Sequence, residues 1–237
     1  MSANTLFLRL EGPLQAWGDP SRFDMRRSMA APTKSGVLGL VCSAMGLSRS
    51  AAAGTLGTLT RLRMGVRVDR PGERWWEWHT VGAGVGVMPA DGKEAKRTGK
   101  TKEIETRVSR REYLADASFL VALWGDPGII SQVAAALARP ARPVYLGRRS
   151  CPPSVPVFIP PPAATSGQSS PSTSATHADL AAALASHPWR PRYAADAPRD
   201  EKGRPCATVA LPCLLEWPTD GDTPAPESAE TWYDNPV

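Results

Sequence analysis

The order of its predicted elements places this 237-residue chain in the α+β class. The core is a ferredoxin-like β-α-β-β-α-β unit, the architecture of RNA-recognition domains. Three observations carry that expectation. Apolar strand patterns at residues 6–10, 61–69 and 117–124 alternate with two helical patterns. A cationic, glycine-bearing insertion, about residues 75–112, falls between the second and third strands, where a hairpin can protrude. Past residue 155 the chain turns proline-dense and then Ser/Thr/Ala-rich, as a linker does.

The first strand is Leu6–Leu10, ended by Glu11-Gly-Pro13. Thr33 is a good N-cap, and Val37, Leu38, Val41, Ala44 and Met45 then recur at helical spacing up to Gly46, a C′ residue. Ser48 caps a second, Ala-rich helix. Arg61–Asp69 alternates, with Leu62, Met64, Val66 and Val68 on one face and Arg61, Arg63, Arg67 and Asp69 on the other, which predicts a half-buried strand with a polar outer face. Ala117–Trp124 is a continuous apolar strand. Asp126-Pro127 is a cap followed by an N1 proline, and Ile129, Ile130, Val133 and Leu137 mark the next amphipathic helix, stopped by Pro140. Val144–Leu146 is expected to be the last short strand of the core. The domain reading is therefore residues 1–155 as core with the insertion, and 156–237 as a Pro-rich linker and a small, irregular, mostly-β segment. In the latter, His177–His187 reads as one short helix, and Thr208–Leu211 and Leu214–Trp217 as strands.

With 42% hydrophobic residues a sizeable core is available. The net charge is +5, from 28 Lys/Arg against 23 Asp/Glu. Its distribution is more informative than its sum. Residues 93–111 hold eight Lys/Arg against three Glu, whereas residues 213–237 hold six Asp/Glu and no Lys/Arg. A cationic arm rooted on an apolar strand suits a polyanion. Four cysteines with no CxxC pair and three histidines argue against zinc, and Cys42 reads as a small core residue. No signal-peptide h-region and no membrane-length apolar run is found, so a reducing cytoplasm is expected.

Each candidate site has two readings. Pro32-Thr-Lys-Ser-Gly36 opens a helix, where free N–H groups and Lys34 would grip a phosphate; equally it is an N-cap with a solvated lysine. It lacks Walker A spacing, and Gly82-Ala-Gly-Val-Gly86 is not GxGxxG, so no nucleotide cofactor is expected. Tyr145-Leu-Gly-Arg-Arg149 offers a glycine for close approach and two arginine forks, or a plain charged turn. Trp75, Trp76 and Trp78 are expected to pack on a core or a partner protein rather than on bases; Trp17 has the same two readings. An RNP1 octamer is missing, which argues against base stacking on the sheet face. His79, with Tyr113, Lys102 and Arg107 downstream, is a proton-transfer candidate or a structural residue, and no catalytic triad or metal cluster accompanies it.

Five ordered blocks resemble the CasD family, the Cas-five RAMP subunit of type I-E CRISPR Cascade complexes. They are Leu8-Arg-Leu-Glu-Gly-Pro-Leu-Gln-Ala-Trp-Gly18, Pro32-Thr-Lys-Ser-Gly-Val-Leu-Gly-Leu40, His79-Thr-Val81, Arg111-Glu-Tyr-Leu-Ala-Asp-Ala-Ser-Phe119 and Tyr145-Leu-Gly-Arg-Arg-Ser-Cys-Pro152. They span the first two thirds of the chain; the acidic, Pro-rich end departs from the family pattern. The resemblance implies a ferredoxin-like RAMP core with a thumb hairpin and binding of the 5′ handle of a mature CRISPR RNA. It implies contact with the adjacent backbone subunit and with the large PAM-reading subunit, and with target DNA only through the complex. The RNA-contact residues it implies are Lys34, Ser35 and Gly36, then Arg107 and Arg111, then Gly147, Arg148 and Arg149. His79, Lys102, Arg110 and Tyr145 complete the candidate set.

The expected function is a non-catalytic RNA-binding subunit that caps a guide-RNA filament and leaves target recognition to base pairing. One rival is a metal-independent endoribonuclease of repeat RNA, with His79 or Tyr113 moving a proton and Lys102 stabilising charge. Another is an adaptor whose basic thumb meets acidic protein.

Overall fold

The computed structural model describes residues 4–19, 21, 24–81, 107–159, 180–187 and 214–217. In chain order the strands are β1 (Thr5–Glu11), β2 (Leu14–Gln15), β3 (Trp17–Gly18), β4 (Met25–Arg26), β5 (Ser28–Met29), β6 (Arg63–Arg70), β7 (Glu73–Val81), β8 (Arg107–Ala115), β9 (Ser118–Trp124) and β10 (Leu214–Trp217). The helices are α1 (Lys34–Ala44), α2 (Arg49–Leu59), α3 (Pro127–Ala138) and α4 (Leu180–Ser186).

The first sheet has the order β1-β9-β6-β10, antiparallel throughout. β9 is central and apolar on both faces because both faces are covered. On one, Leu6, Leu8, Met64, Val66, Val121 and Leu123 pack with Val37 and Val41 of α1 and Ile130 and Val133 of α3. On the other, Phe7, Leu120 and Ala122 pack with Leu180, Ala183 and Leu184 of α4. Burying each Leu of α4 contributes about 1.5–3 kcal/mol to holding that helix on the sheet.

The helix signals read from the sequence are present. The Thr33 side chain accepts from Gly36 N–H, Ser48 from Ala51 N–H, and Asp126 from Gly128 and Ile129 N–H. Gly46 follows α1 with φ +72°, the left-handed conformation a helix stop uses.

Two expectations are corrected. Val144–Leu146 is not a strand. Its Leu146 accepts from Ala16 N–H at 3.0 Å and donates to the Cys151 carbonyl at 2.8 Å, so its backbone groups close a loop instead of a ladder. The free edge of β1 is taken by Val157–Ile159: Arg9 N–H donates to Val157 O, Ile159 N–H to Phe7 O, and Phe158 bridges Leu8. The polar outer face of β6 is also not solvent-facing throughout. Arg67 is only 4% exposed. α4 covers it, and its guanidinium donates to Leu184 O and His187 O, both at 2.6 Å, and pairs with Asp69. Asp69 also pairs with Arg9, so both arginines share one buried carboxylate.

A second sheet runs β2-β8-β4, with β7 on the other edge of β8. β7 and β8 form an antiparallel hairpin in register from Glu73↔Ala115 to Val81↔Arg107. Part of the predicted insertion, residues 82–106, lies outside the described residues, as does the predicted strand 208–211.

Candidate nucleic-acid interface

The hairpin grows directly out of the first sheet. β6 ends at Arg70 and β7 begins at Glu73; β8 ends at Ala115 and β9 begins at Ser118. Asp116 makes the second crossing with φ 58°, a conformation Asp tolerates. Its N–H donates to Pro13 O at 3.0 Å, and its carbonyl accepts from Arg70. The hairpin is therefore anchored at both strands within two residues of the core.

Strand alternation divides its side chains between two faces. Glu77, His79, Arg111 and Tyr113 share one. Trp76, Trp78, Arg110 and Glu112 share the other. On the first face Tyr113 is buried and donates to Glu77 Oε2 at 2.8 Å, and its hydroxyl lies 3.3 Å from Ser150 Oγ. The Arg148 guanidinium stacks over the Tyr113 ring at 4.7 Å. It also donates to Glu112 O at 2.8 Å and Arg26 O at 2.9 Å. Arg148 thus rivets the glycine turn to the hairpin base and to β4.

Gly147 has φ +91°, and its Cα faces the backbone of Ala16. The next residue, Trp17, is buried, with its N–H on Ser28 Oγ and its indole on Gln15 Oε1. Gln15 is itself buried and donates to Leu10 O and Ala117 O, tying this stretch to β1 and the start of β9. A Cβ on Gly36 would come within 3.0 Å of the Trp17 ring. The Gly147 turn and the α1 start therefore abut consecutive residues, Ala16 and Trp17 respectively.

The candidate residues divide accordingly. Lys34 reaches Thr60 O at 2.8 Å, at the end of α2. Ser35 is exposed, and Gly36 packs on Trp17. Arg110 and Arg111 stand side by side on β8, on opposite faces, and pair in parallel with Met25 and Arg26 of β4. Arg107 stands opposite Val81 in register. His79 is opposite Ser109, with Nδ1 3.8 Å from Glu77 Oε1. The Tyr145 carbonyl accepts from Gly147 N–H at 2.9 Å. Arg149 is exposed beside Arg148. Lys102 lies outside the described residues.

Of the tryptophans, Trp17 packs in the core, Trp75 is 48% exposed but tilts against the ring of the core residue Tyr113 at 5.9 Å, and Trp78 is 69% exposed. Sequence reasoning overlooked Arg26 and Arg27, which are exposed and brought beside Arg110 and Arg111 by β4. The adjacent pair Arg26-Arg27 was the available signal. It also overlooked Glu112, buried, accepting from Ser28 N–H at 3.0 Å and pairing with Arg74. That carboxylate is neutralised within the fold, so it leaves the neighbouring arginines their charge.

Burial pushes the thiols of Cys42 and Cys151 up from the ordinary value. Arg148 and Ser150 pull Cys151 partly back. Among the described residues no group of three or more His, Cys, Asp or Glu is placed to hold a metal ion, and no helix is long and apolar enough to cross a membrane. Exposed Arg26 and Arg149 with half-buried Arg111 offer guanidinium groups suited to phosphates, while Arg110 lies on the opposite face of β8.

A cationic hairpin base of this kind is found here in a member of a CRISPR-associated family. The chain belongs to the Cas5 family, whose model, described as CRISPR-associated protein (Cas_Cas5), matches residues 5–228. Within it, the CasD resemblance carried by the five sequence blocks holds. The chain is 37% identical to CRISPR system Cascade subunit CasD of Escherichia coli (strain K12) over 167 residues, 65% of this chain and 69% of that protein. It is similar to a chain of a CRISPR RNA-guided surveillance complex, with TM-score 0.53 and 38% identity over 65% of this chain and 61% of that one. It is similar also to a structure described as a Cas protein, with TM-score 0.52 and 35% identity over 78% of this chain and 71% of that one.

Proposed function

We propose that this protein is a non-catalytic RNA-binding subunit of a type I-E Cascade complex in the cytoplasm, holding the 5′ handle of the mature CRISPR RNA and capping the backbone filament. The observation that carries this reading is Arg148, which locks the Gly147 turn onto the base of the β7–β8 hairpin. That joint gathers Arg111, Arg149 and Arg26 around one rigid corner. Pre-placed cations bind a fixed short RNA by phosphate geometry and lose little entropy in doing so.

In this reading the β1-α1-β6-β9-α3 order, completed by residues 157–159 beside β1, is a ferredoxin-like RAMP core, and the hairpin is its thumb. Residues 1–155 supply the core and 156–237 the linker and edge segment. The partners are CRISPR RNA, the adjacent backbone subunit and the large PAM-reading subunit; target DNA is met through the complex.

The test is a salt titration of handle-RNA binding by the assembled complex. Each neutralised phosphate adds roughly −0.7 to the log–log slope for single strands. Replacing Arg26, Arg111 and Arg149 with Ala should flatten the slope by about two. Arg148→Ala should instead lower stability, because three backbone carbonyls lose their donor. An unchanged slope in the triple variant would overturn the assignment.

One observation favours a second reading: His79 lies beside Glu77, which holds the Tyr113 hydroxyl, a set of groups able to pass a proton. A single cut in repeat RNA made in EDTA, and abolished by His79→Ala, would replace the non-catalytic reading with a ribonuclease.

A further inference from the structure

The second face of the hairpin has a different chemistry. Trp78 on β7, Arg110 on β8 and Met25 on β4 form one row across three adjacent strands. The Arg110 guanidinium lies 5.1 Å from the Trp78 ring centroid and 5.2 Å from that of Trp76. Trp78 is 69% exposed and Met25 37%. We propose that this Trp76–Arg110–Trp78 ladder is a stacking platform for one unpaired base of the bound RNA. The inference rests on the RNA-binding reading above and adds to it a second, base-contacting face.

Three features support a base as the occupant. The guanidinium lies over both indole rings, and cation–π attraction to it restrains the largely exposed Trp78 as a flat, π-rich surface. Stacking on such a surface tolerates any base, because every base has a π-face. The surrounding charge is complementary to a polyanion. The exposed cationic side chains of β4 and its flank are Arg26 and Arg27, against Asp24 as the nearby exposed acid, and Glu112 is neutralised by Arg74 and Ser28 N–H. The geometry supplies a route as well. Arg26 pairs with Arg111, and Met25 with Arg110, so the narrow β4 edge separates a phosphate-binding row from the stacking row by one residue. A strand following Arg111 and Arg26 can turn a single base over that edge onto Trp78.

The experiment uses the assembled complex loaded with RNA carrying 2-aminopurine at successive positions of its unpaired 5′ segment. Stacking should quench one position. Trp78→Ala should restore its fluorescence and weaken binding about tenfold, with the salt slope unchanged, while Trp78→Phe keeps most of the quench. A quench pattern indifferent to Trp78→Ala would overturn the proposal while leaving the phosphate site standing. So would loss of a neighbouring subunit in Trp78→Ala with the quench intact, which would make the patch a protein contact. Absence of RNA binding by the complex would overturn both this inference and the reading on which it rests.

Discussion

Gly147 is pressed against the carbonyl of Ala16: a Cβ built on it would stand 1.7 Å from the Ala16 oxygen. Neither group can easily withdraw. Leu146 O accepts from Ala16 N–H on one side, and Arg148 is bonded to Glu112 and Arg26 on the other. The contact joins the N-terminal block of the sequence to the glycine turn some 130 residues later.

Gly147→Ala should therefore be among the most damaging single changes in the core. It combines a backbone clash with a φ of +91° that alanine rarely adopts. The expected loss is about 3 kcal/mol or more, a fall in Tm of roughly 6–12 °C for a chain of this size. Thermal unfolding of the purified chain measures it. A variant within a degree or two of the parent would mean that the turn shifts freely.

Arg67→Met should release α4 from the sheet. The guanidinium caps the end of that helix through Leu184 O and His187 O and shares Asp69 with Arg9. Methionine keeps the apolar stem but leaves two carbonyls without a donor, at a cost of about 2–4 kcal/mol. Amide exchange in residues 180–187 should accelerate well before the central strand β9 is affected. Unchanged protection there would show that Leu180 and Leu184 hold the helix without the arginine.

The two buried thiols among the described residues, Cys42 and Cys151, give a pH dependence of defined sign. Burial raises both above the ordinary thiol value, so as pH rises the unfolded chain loses these protons first. Folding stability should therefore decline as pH climbs past about 8.5, across the window between the ordinary and the raised values. The Cys42→Ala/Cys151→Ala variant should show a shallower decline in chemical denaturation between pH 8 and 10. Equal slopes would contradict the assignment.

Local signals account for the parts of the fold that were legible in advance. Thr33, Ser48 and Asp126 announce helices because a cap bond spans only two or three residues. Ala117–Trp124 announces a buried strand because, after Ser118, six apolar residues follow without interruption. The missed features are long-range. Leu146 is an apolar residue in a plausible strand, but Ala16 and Cys151 claim its backbone groups. The arginines of the candidate site looked alike in sequence. Arg148 is spent on the fold and Lys34 reaches the Thr60 carbonyl, whereas Arg110 lies between two indoles and Arg149 faces solvent.

The sequence by itself determined the helices, the central apolar strand, the cationic arm and, through its five blocks, the family. These follow from periodicity, capping and charge, which act over a few residues, and from a residue order that a relative shares. Tertiary structure alone decided that α4 buries Arg67, that β4 sets Arg26 and Arg27 beside β8, and that Gly147 rests on Ala16. Each of those depends on partners about 85 to 130 positions apart meeting in space, and no local pattern specifies which carbonyl a guanidinium will find.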